Sequence, residues 1–221
     1  MRTKSLVLAA AALAGGLLSA SAQSNVYSLN IVGYVNKALP NGYSLVANPL
    51  DDGNGNVSSN LVPAALPTKS QIVVYDQVNG YVTATKTSTG GWTTSFPIPP
   101  GKGYFVKVNG GSTLTNTYVG NVAGAVPGSI TNSLPGGYSL VGSPYPIGGI
   151  ATNSGSNTLN LPGTLPTKSQ IITYDQVNGY VTATKTSTGG WTTAQQIDVG
   201  TGFFIKNNGA TAINWTQDVG Q

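Results

Sequence analysis

Past its opening stretch the chain has no sustained helical period. Its apolar residues come in short β-branched and aromatic runs, cut by clusters of Gly, Pro and Asn. Gln71 to Gln77 and Tyr81 to Lys86 are two such runs, separated by Val78-Asn79-Gly80. An Asn-Gly step accepts positive φ at both turn positions, as a tight hairpin requires. Thr89-Gly90-Gly91 predicts a second reversal before Trp92-Thr93-Thr94. Tyr43 to Asn48, Gly103 to Val108 and Leu114 to Val119 bring the pattern to about six strands.

The pattern then repeats. Leu66 to Thr94 recurs as Leu165 to Thr193, with changes only at Val73/Ile172 and Val74/Thr173. Weaker likeness extends outward: Leu39-Pro40-Asn41-Gly42-Tyr43-Ser44-Leu45-Val46 matches Leu134-Pro135-Gly136-Gly137-Tyr138-Ser139-Leu140-Val141. Gly101-Lys102-Gly103-Tyr104-Phe105-Val106-Lys107 matches Gly200-Thr201-Gly202-Phe203-Phe204-Ile205-Lys206. A repeat this long is a duplication. The expected architecture is all-β: two tandem homologous β-sandwich or β-barrel units, residues 23–122 and 123–221, with one fused pseudo-symmetric barrel as the alternative.

The two substitutions bear on which face is inside. On the Gln71 strand, Val73 and Tyr75 share one side, and Ile72, Val74 and Asp76 the other. Val73 becomes apolar Ile172 and Val74 becomes polar Thr173, so Val73/Tyr75 is the expected core face. In the Gly103 strand, Tyr104 and Val106 fill one side, and Phe105 with Lys107 the other. Phe105 recurs as Phe204, which suggests that both faces of that strand are covered.

The opening stretch has a different character. Arg2 and Lys4 precede an uncharged apolar run from Leu6 to Leu18, and Ser19-Ala20-Ser21-Ala22-Gln23 follows. A basic start, a run too short to span a bilayer and an Ala-x-Ala exit predict a secretory signal peptide, residues 1–22. The expected location is extracellular or at the cell surface, without membrane insertion. Removing it leaves eight lysines against six aspartates, a net charge of +2, and no Arg, Glu, His, Cys or Met. Nucleic-acid grooves favour Arg, so a nucleic-acid partner is not expected.

That composition also bears on chemistry. Without His or Cys there is no Ser-His-Asp or Cys-His nucleophile and no ordinary zinc site. Without Glu, a glycosidase would need two facing aspartates. Asp51 and Asp52 are adjacent, Asp76 and Asp175 are one residue seen twice, and Asp198 stands where the first copy has Pro99. Asp52-Gly53-Asn54-Gly55-Asn56 has the alternating oxygens of a calcium loop but lacks the closing Glu, Pro63 holding that place. The expectation is therefore no enzyme, no cofactor and no metal.

Two binding modes remain. Asp76, Asn79, Tyr81 and Trp92, with Asp175, Asn178, Tyr180 and Trp191, flank the nearly identical hairpins. Aromatic faces stack on sugar rings while amides and carboxylates reach hydroxyls, and two equal sites add avidity on a polymer. The competing role for these aromatics is core cover. Separately, Val32-Gly33-Tyr34-Val35 opens the first unit, Val119-Gly120-Asn121-Val122 joins the two, and Val219-Gly220-Gln221 ends the chain. With Ile31, these residues suggest an unpaired strand at the start and an unfinished edge at the end, which would pair head to tail with other copies; the competing reading, which is favoured, packs the first strand within its own unit.

With these motifs in hand, the chain resembles a family of uncharacterised secreted two-repeat β proteins of environmental bacteria. The likeness rests on Asn30-Ile31-Val32-Gly33-Tyr34-Val35-Asn36, the Leu-Pro-x-Gly-Tyr-Ser-Leu-Val segment and the Gly-Trp turn. The Gly-x-Gly-Phe/Tyr-Phe-x-Lys strand and Trp215-Thr216 complete it. The resemblance implies an extracytoplasmic β fold and brings no catalytic residues. The expected function is a secreted structural or surface-assembly protein, a fibre or matrix subunit with itself as partner. The alternative is a bivalent carbohydrate-binding or adhesion module with a polysaccharide as partner.

Overall fold

The computed structural model describes residues 32–123, 129–152, 155 and 157–218. The expected leader, residues 1–22, and Ile31, Val219, Gly220 and Gln221 of the expected assembly segments lie outside these. The described residues are all-β, with no helix, and no sheet among them closes into a barrel.

The N-terminal half contains β1 (Val32–Leu39), β2 (Gly42–Ala47), β3 (Gln71–Asp76), β4 (Gly80–Thr85), β5 (Gly103–Val108) and β6 (Leu114–Asn121). The C-terminal half contains β7 (Ser129–Leu134), β8 (Gly137–Val141), the short β9 (Gly149–Ile150), β10 (Gln170–Asp175), β11 (Gly179–Thr184), the short β12 (Gln196–Ile197), β13 (Phe203–Asn207) and β14 (Ile213–Asp218). Each half builds an antiparallel four-stranded sheet, β2-β5-β3-β4 in one and β8-β13-β10-β11 in the other, with the same strand order. A two-stranded ribbon, β1-β6 or β7-β14, lies over the inner face of each sheet.

Alternation along the strands sets the two faces of each sheet. Inward from the first sheet point Val46, Ile72, Val74, Ala84, Tyr104 and Val106, meeting Val35, Leu39 and Tyr118 of the ribbon in one buried core. In the second half Leu134 and Trp215 of the ribbon meet Val141, Ile171, Ala183, Phe203 and Ile205. Trp215 is fully buried, and its indole N–H donates to the Leu159 carbonyl at 3.0 Å.

The outer faces are also covered, in part, by each other. Leu45, Val73 and Phe105 of the first sheet form a third buried cluster with Leu140 and Phe204 of the second, and Tyr75, Ile172 and Tyr174 pack against it. The Val73/Tyr75 side is therefore not the face of its own half's core. Ile72 and Val74 hold that place, and Val73 and Tyr75 join the two sheets. Apolar-for-apolar exchange at Val73/Ile172 tracks this junction, and the polar exchange at Val74/Thr173 has a local partner: Thr173 Oγ1 donates to Gln195 Oε1 at 3.2 Å. Coverage of both faces around Phe105 and Phe204 is as expected: both are buried.

Backbone contacts tie the halves in reciprocal pairs. Val46 bridges Thr201, and Lys102 bridges Val141. The Ala47 N–H donates to the Gly200 carbonyl and the Gly142 N–H to the Gly101 carbonyl, each at 3.0 Å.

The opening strand β1 is not left alone. It pairs with β6 along its whole length, from Val32↔Asn121 to Leu39↔Leu114. Gly33 and Gly120 face each other in that register, which gives the Val-Gly motif a packing reason. A Cβ on Gly33 would lie 2.4 Å from Leu50 Cδ2, and one on Gly120 2.2 Å from the Asp51 carbonyl oxygen. The chain at Asp51 sits against β6 and exchanges two backbone hydrogen bonds with Asn121, at 2.9 and 2.8 Å.

Candidate binding site

The β3–β4 hairpin does not make the tight Asn-Gly turn that its sequence suggests. Asp76 pairs with Gly80 across three loop residues, and only Gly80 takes a positive φ, +70°. The reason is Asp76 itself. Its Oδ1 accepts the N–H groups of Val78 and Asn79 at 2.9 and 2.7 Å and the Asn79 side-chain amide at 3.0 Å, so Asn79 stays out of the left-handed region. The Asn79 and Val78 backbone bonds hold the Asp76 carboxyl below its ordinary range. Asp175 does the same for Val177 and Asn178, with bonds of 2.7 and 2.8 Å and a similarly lowered carboxyl. All four polar residues thus serve their own turns.

The hairpin tips also reach across to the opposite half. Gln77 Nε2 donates to the Tyr138 carbonyl, and Gln176 Nε2 to the Tyr43 carbonyl, both at 2.8 Å. These reciprocal clamps hold β4 and β11 beside each other's neighbours, and that placement assembles the aromatic residues.

Tyr81 and Trp92 do not share a site. Tyr81 lies on the outer face of β4, edge-on to Tyr75 at 5.3 Å between ring centroids and within 6.4 Å of both Phe105 and Phe204. Trp92 is half-buried against the inner core, with the Lys86 ammonium 5.9 Å over its ring. Lys86 Nζ donates onward to the Ala64 carbonyl at 2.6 Å. Trp191 is likewise half-buried against the second core, and its indole N–H is buried with no hydrogen-bond partner among the described residues. Tyr180 mirrors Tyr81, 5.2 Å from Tyr174. The structure thus brings Tyr81 and Tyr180 together and sets Trp92 and Trp191 apart from them.

Between the outer faces lie two open clefts. One, of about 420 Å³, is lined by Tyr43, Val73, Thr83 and Phe105 of the first sheet with Tyr174 of the second. The other, of about 410 Å³, is lined by the equivalent Tyr138, Ile172, Thr182 and Phe204 with Tyr75. Tyr81 and Tyr180 line both. These two rings are the exposed centre, 56% and 55% accessible, while Phe105 and Phe204 are buried beneath. Burial, then the neighbouring Tyr180, pushes the Tyr81 hydroxyl up to about 12; like any tyrosine it donates at neutral pH. The cleft linings contain no charged side chain. At the margins the Lys107 and Lys206 ammonium groups sit 5.3 and 5.4 Å over the rings of Tyr43 and Tyr138.

Sequence reasoning missed Tyr43, Tyr75, Tyr138 and Tyr174 as site residues, along with Phe105 and Phe204. Their signal was present in the period-2 alternation: each lies on the strand side opposite to its own half's core. Reading Val73/Tyr75 as core hid it.

The Asp51–Asn56 loop is closed on itself. Asp52 Oδ1 accepts the N–H groups of Asn54 and Asn56, both at 2.8 Å, and Asp51 Oδ1 accepts the Asn56 side-chain amide at 2.9 Å. Among the described residues no group of three or more His, Cys, Asp or Glu could hold a metal ion. In comparisons with known proteins, no family model, curated protein or solved structure matches the chain.

Proposed function

We propose that the protein is an exported, non-catalytic binding module that holds an uncharged polysaccharide between its two sheets. In this reading two β-sandwich units, made by duplication and freed of the leader at residues 1–22, present one binding surface twice. One observation carries it: the pair of equivalent clefts, uncharged, floored by Phe105 and Phe204 and centred on the exposed rings of Tyr81 and Tyr180. Sugars offer C–H faces to aromatic rings and hydroxyls to polar edges. Tyr supplies both in one rigid side chain, and Thr83 and Thr182 add hydroxyls at each cleft wall. Retention of the mature chain on a panel of insoluble cellulose, chitin and xylan tests the proposal. The wild type is expected to be retained on at least one, and Tyr81→Ala with Tyr180→Ala to weaken retention about tenfold or more, with unfolding still cooperative. Equal retention of the double variant, or none by the wild type, would overturn it.

A second reading, assembly with further copies, has its own support. The exposed face of the β1-β6 ribbon carries Val32 (68% accessible), Tyr34 (64%) and Val119 (55%), with Tyr34 directly opposite Val119. At the equivalent pair of the β7-β14 ribbon stand Ser129 and Asp218. Apolar surface on one ribbon and polar surface on the other fits a contact made by one end of the molecule only. Tyr34→Ser with Val119→Asp, which copies the second ribbon, is expected to abolish any concentration-dependent association seen by light scattering. Unchanged association would remove this reading.

A further inference from the structure

We infer that the two tyrosine clefts are the middle of one longer groove that takes a single linear glycan chain in one orientation. This rests on the binding reading above and extends it to the form of the ligand.

The clefts do not end at their own walls. Beyond the first lies a polar pocket of about 440 Å³, which shares Tyr43 and Tyr174 with it. Beyond the second lies a pocket of about 360 Å³, which shares Tyr75 and Tyr138 with it. The central pair share Tyr81 and Tyr180. Four spaces therefore follow one another, each joined to the next by two tyrosines, and the series reads the same from either end through the paired sheets. A row of aromatic platforms at intervals suits a polymer whose rings recur along an axis.

A groove with such symmetry would accept a directional chain equally well both ways if its ends matched. They do not. In the pocket beside Tyr43 stand Lys37, Asp198 and Thr201. The equivalent positions beside Tyr138 are Asn132, Pro99 and Lys102. Lys37 is half-buried, its Nζ donates to Thr201 Oγ1, and burial holds its ammonium below the ordinary lysine range, with Asp198 raising it in part. Each end pocket also has its turn aspartate, Asp175 at the first and Asp76 at the second; the first adds Asp198 with a held ammonium, and the second an amide with a lysine on the opposite wall. Sugar hydroxyls meet two carboxylates at the first end, Asp175 and Asp198, and one at the second, Asp76, so the two orientations differ in free energy. No charged side chain lines the two central clefts, and the charges at the margins and ends are of both signs, which favours a neutral, linear polysaccharide.

The test uses the mature chain and cello-, xylo- and chito-oligosaccharides from disaccharide to octasaccharide, titrated calorimetrically. Within the ladder that binds, affinity is expected to climb about a hundredfold before it levels off. A nitroxide at the reducing end of the longest binder should then broaden amide signals near one end pocket only, either around Lys37 and Asp198 or around Asn132 and Lys102. Lys37→Asn with Asp198→Asn should make the broadening appear at both ends. Affinity that is flat with length, or broadening at both ends of the unmodified protein, would overturn the inference and leave the binding reading standing. No binding by any ladder or by the insoluble polysaccharides would remove both.

Discussion

Val74 and Phe96 belong to the N-terminal core, and at their places in the C-terminal half stand Thr173 and Gln195, which hydrogen-bond to each other at 3.2 Å. One pair is apolar and the other polar, and each is consistent within itself. Val74→Thr alone puts a hydroxyl into an apolar setting and is expected to cost about 1–3 kcal/mol. Adding Phe96→Gln should return part of that loss, so a double-mutant cycle read by denaturant unfolding yields a favourable coupling of about 0.5 kcal/mol or more. Strict additivity would contradict the pairing. Tyr104 and Tyr118 make a second asymmetry: their hydroxyls meet at 2.8 Å in the first core, and burial pushes Tyr118 up to about 12. Phe203 and Gln217 stand there in the other half. A tyrosine that keeps its proton longer in the folded state gives stability that is intact below pH 10 and is lost as the pH rises toward 12. The loss is on the order of 2–3 kcal/mol. Tyr104→Phe with Tyr118→Phe should flatten that alkaline fall in Tm; an unchanged fall would place its origin elsewhere.

The strands themselves were legible. Runs read as Gln71–Gln77 and Tyr81–Lys86 appear as β3 and β4 within a residue or so, because β-branched and aromatic alternation is a local property. The face assignment was not, since Val73 and Tyr75 are as apolar as a core face and only a second sheet distinguishes the two burials. The hairpin was read too tightly because Asp76, three residues before Asn79, redirects the turn. Tyr81 and Tyr180 were legible as site candidates, but their sequence neighbours Trp92 and Trp191 turn to the cores through the bridges Lys86↔Trp92 and Lys185↔Trp191. Where elements of the two halves touch, tolerance is small. A Cβ on Gly202 would lie 2.5 Å from the Val46 carbonyl oxygen. Gly202→Ala is expected to cost about 1–3 kcal/mol and to open the sheet junction, raising amide exchange along β2 and β13 before global unfolding. Wild-type exchange in the variant would show that the halves do not depend on this contact.

On the scale of the whole molecule, the two halves build together clefts that neither holds alone. Each cleft takes its floor and one wall from one sheet and its other wall, through Tyr174 or Tyr75, from the opposite sheet. The proposed binding would therefore be linked to docking of the halves: a ligand in the groove would stabilise the junction. The clamps from Gln77 and Gln176 set the opening, and the outer-face cluster around Phe105 and Phe204 sets the depth. The most direct measurement of the proposed binding is two-dimensional NMR of the aromatic side chains of residues 23–221 during titration with the cello-, xylo- and chito-oligosaccharides. The account predicts that the Tyr81 and Tyr180 ring signals move first and together, with Tyr43 and Tyr138 following, while Trp92 and Trp191 stay still. Shifts gathered on the two tryptophans or on Tyr34, with the central tyrosines unmoved, would contradict it.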